Sequence, residues 1–338
     1  MNTAVRMASR CTLAVGLTLF AVEIYPNPVA VRGLLCATLV SALPTFRHAL
    51  MRQRLLLIWL SGGAGMLSEA LFRDAPWFLI PFYFAMVSLL FGFACRSRDT
   101  ASMVIIAYGL SGSLLNKFPD SGDIPIFDGF YRSFWCSIGT LAGSLSFFVF
   151  PIPKHPPAVR ARPMIFTTRD AIFLGFCSAV ALVVGLISVE YLSSPFLVMV
   201  TLVWAITLLT TRDKSSLPIT FACGVAAVPV GIGFDSLISS STNNLMFFLT
   251  AFLAIVWLIN LVKFSSAKLT PIIGWFLIVF LTGGGMNPGP LQSFHATLTN
   301  IYSILAGMVV ATIVWVVDQT LRSVEAAVER AGEDRVAC

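Results

Sequence analysis

Ionisable residues inside apolar segments are the positions of this sequence best suited to chemistry. A buried, unpaired charge is costly in hydrocarbon, so such residues commonly bind solutes or carry protons. Arg32 follows Pro28 by about one helical turn in an apolar run, where a guanidinium can meet a carboxylate. Glu23 and Glu190 each end an apolar run shortly before a proline, and desolvation favours the protonated form of a carboxylate. Arg32 is therefore a candidate substrate-binding residue, and the two glutamates are candidate proton-coupling residues.

Each of these residues also has a simpler interpretation. Arg32 can pair with Glu23 or extend its guanidinium to the interface, and both glutamates can end their helices in water at the outer surface. Secondary candidates are Glu69 and Asp235, near the outer ends of two helices, and Arg47 and Lys214, which either anchor helix ends at the inner headgroups or attract anions. Asn287 is a further substrate-binding candidate because it lies in the helix-breaking segment 283–290, which would line a pathway if it enters the membrane.

The residue pattern argues against an enzyme, a cofactor or a metal site. The three histidines, His48, His155 and His295, have no metal-ligand spacing, and no hydrolase, zinc-protease or nucleotide-binding motif occurs. None of the seven cysteines forms a C-x-x-C pair, and small buried apolar residues are the expected role for them. The missing nucleotide motif disfavours a primary pump, and an intramembrane enzyme of unknown type remains a third alternative.

The composition indicates a membrane protein. Hydrophobic residues make up 57% of the 338 residues and charged residues only 11%, with a mean hydropathy of +0.87, whereas a soluble domain is about a quarter charged. Apolar runs bounded by charge, proline or glycine recur throughout and predict an all-α polytopic membrane protein with about twelve transmembrane helices. We expect these near 11–25, 29–44, 54–72, 76–94, 101–116, 131–150, 170–189, 195–210, 216–237, 245–262, 269–284 and 297–318.

The basic residues predict the topology. If the N-terminus is cytoplasmic and the helices alternate, all but four of the 22 Lys and Arg residues fall on the cytoplasmic side; the four are Arg32, Arg73, Lys117 and Arg132. The positive-inside rule requires this bias. The sequence therefore predicts an inner-membrane protein with both termini in the cytoplasm, and its net charge of +6 reflects topology, not binding of nucleic acid.

The two halves of the chain read as a repeat. At a constant offset of 167 residues Glu23 matches Glu190, and the pairs Pro28 and Pro195, Arg47 and Lys214, and Arg96 and Lys263 match in the same way. We therefore expect two tandem six-helix repeats of parallel orientation, related by an axis along the membrane normal. The predicted units are a first repeat (1–150), a Pro/Arg-rich cytoplasmic linker (151–168), a second repeat (169–320) and a cytoplasmic tail (321–338).

Several motifs of the first half resemble a known transporter family. They are Asn27-Pro28 at the start of the second helix, L-P-T-F-R-H-A-L at 43–50, the glycines Gly62, Gly63 and Gly65 of the third helix, and a sixth helix rich in small residues that ends before Pro151. This pattern is similar to the membrane half of the fusaric acid resistance and aromatic acid exporter family. The second half keeps less of it: Ser194-Pro195 replaces Asn-Pro, and the large soluble domain that many members carry is not found among these 338 residues.

The resemblance implies efflux of small, often aromatic, organic acids, driven by the proton gradient, with a periplasmic membrane-fusion protein as a partner. The plant aluminium-activated malate channels are also similar, with one six-helix unit per chain. An anion channel is therefore the alternative to a transporter, and the sequence does not fix the substrate, the direction of transport or the oligomeric state.

Overall fold

The computed structural model describes residues 3–24, 31–43, 46–72, 76–97, 104, 106–107, 125–151, 167–188, 194–211, 214–241, 245–266, 269–283 and 294–336. These residues are almost entirely helical and include no strand. Eleven α-helices are described in full: α1 (Thr3–Ile24), α2 (Val31–Ser41), α3 (His48–Phe72), α4 (Pro76–Ser97), α5 (Pro125–Val149), α6 (Thr168–Ile187), α7 (Ser194–Thr210), α8 (Leu217–Ser241), α9 (Leu245–Ser265), α10 (Leu269–Gly283) and α11 (Phe294–Val336). A short 3₁₀ turn, Lys214–Ser216, precedes α8.

The all-α prediction is confirmed for the described residues, and each of the eleven helices overlaps one predicted segment. Of the predicted helix 101–116 only residues 104, 106 and 107 are described, and all three are helical. The largest difference is α11, which runs 43 residues to Val336. The predicted tail is therefore a continuation of the last helix over residues 321–336, because this stretch contains no proline and only one glycine, Gly332, to interrupt it.

Three helical segments are long and apolar enough to cross a membrane: Thr3–Ile24, Thr168–Ile187 and Ile301–Glu325. Five further apolar helical segments are shorter: Arg32–Ser41, Trp77–Gly92, Leu197–Thr210, Leu249–Ser265 and Ile272–Leu281. Large apolar side chains such as Phe20, Phe148 and Ile187 are more than 60% exposed. An exposed apolar surface of this kind is consistent with a helical membrane protein, since lipid would cover it.

The helices pack in a reciprocal pattern between the two halves. Within the halves α2 packs on α1 and α5, and α7 packs on α6 and α11 in the same way. Between the halves α1 packs on α9, and α4 packs on α6. Three pairs of helices begin 169 residues apart: α3 and α8 (48 and 217), α4 and α9 (76 and 245), and α5 and α11 (125 and 294).

The closest helix contact lies between α2 and α5. A Cβ atom at Gly139 would be 1.8 Å from the Gly33 carbonyl oxygen, and one at Gly143 would be 2.9 Å from Cβ of Val40. On α11, a Cβ at Gly307 would be 3.0 Å from the carbonyl oxygen of Leu197 on α7. Small residues at such contacts let helix backbones approach closely, which stabilises helix pairs in lipid by van der Waals packing.

Cations cap the C-terminal ends of α2 and α7. Arg10, only 1% exposed on α1, donates from Nε to the Ser41 carbonyl oxygen at 2.6 Å, and its guanidinium lies 4.1 Å from the Phe147 ring centroid. Lys214 donates from Nζ to the Leu208 carbonyl oxygen at 2.6 Å. The last carbonyls of a helix have no partner within the helix, and a cation there also meets the negative end of the helix dipole.

Candidate functional site

Arg32, Tyr83 and Arg132 form the candidate site. Arg32 is the second residue of α2. Tyr83 is the eighth residue of α4, and Arg132 is the eighth residue of α5. Tyr83 is fully buried and Arg132 is 6% exposed, whereas Arg32 is half-buried. Both guanidinium groups lie within electrostatic range of the Tyr83 hydroxyl. The three side chains come from three helices of the first half of the chain, each near the N-terminal end of its helix.

The close contact between α2 and α5 positions the two arginines. A Cβ at Gly33, the residue after Arg32, would lie 2.8 Å from the carbonyl oxygen of Trp135. Trp135 follows Arg132 by three residues, which is almost one helical turn. Farther along, Gly143 of α5 meets Ala37 and Val40 of α2, so the two helices run in the same direction and keep their basic residues at one end.

Two thiols each follow one of the arginines by four residues, which is about one helical turn. Cys36 and Cys136 are fully buried, interact with each other across α2 and α5, and both lie within the electrostatic range of Arg32. Cys11 and Cys177 are also buried free cysteines, which agrees with the predicted role of small apolar residues. Within the described residues no group of three or more His, Cys, Asp or Glu side chains is arranged to hold a metal ion.

The structure describes only part of the predicted proton-coupling set. Glu23 is the penultimate residue of α1, and its side chain is exposed. Glu190 and Asn287 lie outside the described residues. Glu69 and Asp235 belong to α3 and α8, but their side chains are outside the described part.

Arg47 and Lys214 occupy different local positions, although they match at the offset of the predicted repeat. Arg47 is exposed just before α3, and its carbonyl oxygen accepts the backbone N–H of Met51 at 3.1 Å. Lys214 binds the end of α7, and its Nζ lies 5.2 Å from the ring centroid of Trp315. Desolvation, and then the positive charge of Arg322, lower the pKa of Lys214. In the first half, Arg10 makes the contact that corresponds to that of Lys214.

A network of charged residues joins the beginning of α6 to α11. Arg169 binds Asp318 at 3.4 Å and also pairs with Glu325, while Arg322 binds Asp170 at 2.9 Å and Asp318 at 2.7 Å. The Asp170 carboxylate also accepts the backbone N–H of Thr167, which completes a capping box at the start of α6. The network thus fixes the start of α6 to residues 318–325 of α11.

Sequence reasoning missed Arg132, Tyr83 and Arg10 as contributors to these sites. Arg132 was detectable, because an arginine inside the predicted helix 131–150 satisfies the same criterion that singles out Arg32. The sequence marked Arg10 only as a basic residue of the cytoplasmic side. Its side chain is buried against α2 and α5. Tyr83 carries no signal in the sequence, since a tyrosine in an apolar helix is common at membrane interfaces.

Comparison with known proteins identifies no relative of this chain. No protein-family model matches it, and no curated protein and no solved structure matches it either. The resemblance to the fusaric acid resistance and aromatic acid exporter family therefore stays a prediction drawn from the motifs of the first half.

Proposed function

We propose that this chain is a secondary transporter that exports small organic acids, aromatic acids among them, in exchange for protons. The observation that carries this proposal is that half-buried Arg32 and buried Arg132 lie on two closely packed helices of an apolar helical protein. Cations among transmembrane helices commonly mark ion and substrate pathways, because burying a charge in hydrocarbon is costly. Two guanidinium groups favour an anionic substrate.

The proposed architecture is twelve transmembrane helices in two six-helix repeats of parallel orientation. Three structural correspondences support it: the reciprocal contacts of α1 with α9 and of α4 with α6, the capping of α2 and α7 at Ser41 and Leu208, and the packing glycines Gly139 and Gly307. Ser41 and Leu208 lie 167 residues apart, which is the offset of the sequence repeat.

The proposed location is the inner membrane of a bacterium, with both termini in the cytoplasm. The basic residues at the start of α1 (Arg6 and Arg10) and after the end of α7 (Lys214) support one basic face. Reporter fusions at Cys338 and within 284–293 test this topology. A periplasmic signal at Cys338 would contradict it.

Transport in proteoliposomes tests the function. We expect an imposed pH gradient to drive uptake of radiolabelled benzoate by the purified protein, and Arg32→Gln to raise the KM for benzoate. Arg52→Gln is the matched control, because Arg52 is an exposed residue of α3. Flux that follows membrane potential alone, with unitary currents and no response to the pH gradient, would identify an anion channel instead.

A periplasmic membrane-fusion protein is the proposed partner. Affinity purification of the tagged chain after mild crosslinking, followed by mass spectrometry, tests this association. Recovery of a protein with one N-terminal transmembrane helix and a long coiled coil would support export across both membranes. Its repeated absence from crosslinked samples that still export acid would limit the proposal to the inner membrane.

A further inference from the structure

One face of α11 is apolar and exposed along much of the helix. Five side chains on it are each more than half exposed, and we call them the α11 stripe: Ile313, Val317, Leu321, Val324 and Val328. Steps of four, four, three and four residues separate them, which places all five within about 80° around a helix of 3.6 residues per turn. The steps from Val317 onward are those of a coiled-coil seam. The α11 stripe therefore has the form of a helix-pairing surface.

The charged network between α6 and α11 sets the level at which this stripe leaves the membrane. Asp170, the third residue of α6, binds Arg322 at 2.9 Å. The apolar segment Thr168–Ile187 is 20 residues long, the length that one crossing of the hydrocarbon core requires. Its charged start therefore stands at one edge of the hydrocarbon, because charges inside it are costly. Residues 321–324 lie at this same edge, and Val328 lies farther out along the helix.

Neither lipid nor α6 covers the outer part of the α11 stripe. The helix continues unbroken to Val336, so it cannot fold back to lie on the membrane surface. The side chains that bind α6, which are Asp318, Arg322 and Glu325, lie about a third of a turn away from the stripe. Val328 is 66% exposed. Apolar surface left exposed beyond the hydrocarbon commonly marks an interaction site.

The extent of the stripe indicates which partner fits it. The stripe begins inside the apolar segment Ile301–Glu325 and continues past it to Val328, whereas a soluble helix would reach only the outer part. A partner that matches its whole length must itself cross the membrane and leave it at the same level. The α11 of a second copy meets both conditions, because a twofold axis along the membrane normal places each residue of the stripe opposite its own copy.

The residues beside the stripe are compatible with this pairing. Thr320 and Ala327 are exposed on the side of the stripe away from the charged network, and small side chains let a partner helix approach closely. Glu325, on the other side, already pairs with Arg169 of the same chain. Two stripes can therefore meet without bringing unpaired glutamates at this position together.

We infer that two copies of the chain pair along the α11 stripe, as a short parallel coiled coil that begins within the membrane and continues past Asp318. This inference rests on the chain being a helical membrane protein and not on the transport proposed above. A chain with another activity would pair in the same way.

Oxidative crosslinking in native membranes tests which face of α11 meets the second copy. Val324→Cys places a thiol on the stripe, and Gln319→Cys is the matched control, because Gln319 is exposed on the other side of α11. Both are made with Cys338→Ser, and the parent without an added cysteine gives the baseline from the remaining thiols. We expect a covalent dimer from Val324→Cys and only baseline crosslinking from Gln319→Cys. Equal yields from the two positions would overturn the inference.

The mass of the full chain in detergent, measured by light scattering, provides a second test. We expect a dimer for the wild type. The Leu321→Gln, Val324→Gln double variant should raise the dimer dissociation constant about tenfold or more, because it places polar groups in the apolar seam. Gln319→Ala should leave this constant unchanged. Helix content by circular dichroism checks that the double variant is folded, and the crosslinking test does not depend on this variant.

The outcomes separate this inference from the proposed function. A wild type that is monomeric in both detergent and nanodiscs, with no crosslink at Val324→Cys, would overturn the pairing even if the protein transports acids. A crosslink from Val324→Cys to a different protein would overturn it as well, by identifying another occupant of the stripe. Dimers that form through the stripe in a protein without transport activity would keep the pairing and overturn the transporter.

Discussion

Gly139 on α5 lies so close to Gly33 on α2 that a Cβ atom at position 139 would be 1.8 Å from the Gly33 carbonyl oxygen. The obstructing atom belongs to the backbone, so a side chain at this position cannot be accommodated by a change of rotamer. The contact lies one residue from Arg32 and seven residues from Arg132. The packing of two glycines thus sets how closely the two helices that carry Arg32 and Arg132 approach each other.

We expect Gly139→Ala to destabilise the protein, because the added methyl group forces α2 and α5 apart. Overpacking of this kind costs about 1–3 kcal/mol. Gly63→Ala on α3 is the matched control, since a Cβ there has no neighbour within 4 Å and alanine is the better helix former by about 1 kcal/mol. Thermal unfolding in detergent should show a lower Tm for Gly139→Ala and an unchanged or higher Tm for Gly63→Ala. Equal Tm values for the two variants would contradict the close contact.

The capping of α2 by Arg10 leads to a second prediction. Arg10→Ala leaves the carbonyl oxygens of Ser41 and Leu43 without this partner, and each unsatisfied buried acceptor costs about 1–3 kcal/mol. Arg10→Lys should retain part of the stability, because a lysine, Lys214, makes a capping contact of this kind at the end of α7. The measurement is the free energy of unfolding in an SDS titration.

Arg6 provides the control for this comparison. Its Nη1 contacts the Pro151 carbonyl oxygen at 3.5 Å in an exposed position, so Arg6→Ala should change stability by less than about 0.5 kcal/mol. If Arg6→Ala and Arg10→Ala destabilise the protein equally, the effect reflects the loss of positive charge at this end and not the capping of α2.

Much of the helical framework was predictable from the sequence, and its lateral packing was not. Pro76 and the charged segments between apolar runs mark helix ends, so most predicted boundaries lie within a few residues of the observed ones. The predicted start of α5, residue 131, is an exception, because the helix begins at Pro125. The end of α11 was placed too early, because the apolar run stops near Asp318 while helix-forming residues continue to Val336. The contact of Gly139 with Gly33 depends on which faces of two separate helices meet, and hydrophobic periodicity does not specify this.

The candidate site was likewise predictable from the sequence only in part. Arg32 was identified because a cation in an apolar run is unusual. Arg132 satisfies the same criterion but was assigned to the outer side, and Tyr83 becomes informative only once its burial is known. The equivalence of Arg47 and Lys214 in the sequence was also misleading in part, because Arg10 makes the contact that Lys214 makes in the second half.

The charged network between α6 and α11 leads to a third prediction. Arg322 binds Asp170 at 2.9 Å, with side-chain exposures of 33% and 11%. A double-mutant cycle with Asp170→Asn and Arg322→Gln should give a coupling free energy of about 1 kcal/mol, the upper range for exposed pairs, because Asp318 shares the network. Asp170→Asn should cost more than Arg322→Gln, since Asp170 also completes the capping box of Thr167.

The same cycle with Arg52→Gln in place of Arg322→Gln serves as the control. Arg52 is exposed on α3, so its effect and that of Asp170→Asn should add to within about 0.5 kcal/mol. A coupling that disappears at high salt would indicate long-range attraction in place of the direct contact, because exposed charges are screened beyond about 10 Å at 0.1 M salt.

The carboxylates at the ends of two equivalent predicted helices lead to the last prediction. Glu23 ends α1 near the N-terminus of α2, where Arg32 begins the candidate site, and Glu190 is its counterpart at the repeat offset. If these groups exchange protons during transport, the Glu23→Gln, Glu190→Gln double variant should lose uptake driven by a pH gradient while still binding benzoate. Glu23→Gln should have the larger single effect, because Met199 stands where the second half would need an arginine. Glu23 is exposed, and a solvated interfacial charge contributes little, which predicts no change instead. If the double variant shows pH-driven uptake equal to that of the wild type, neither glutamate takes part in the coupling mechanism.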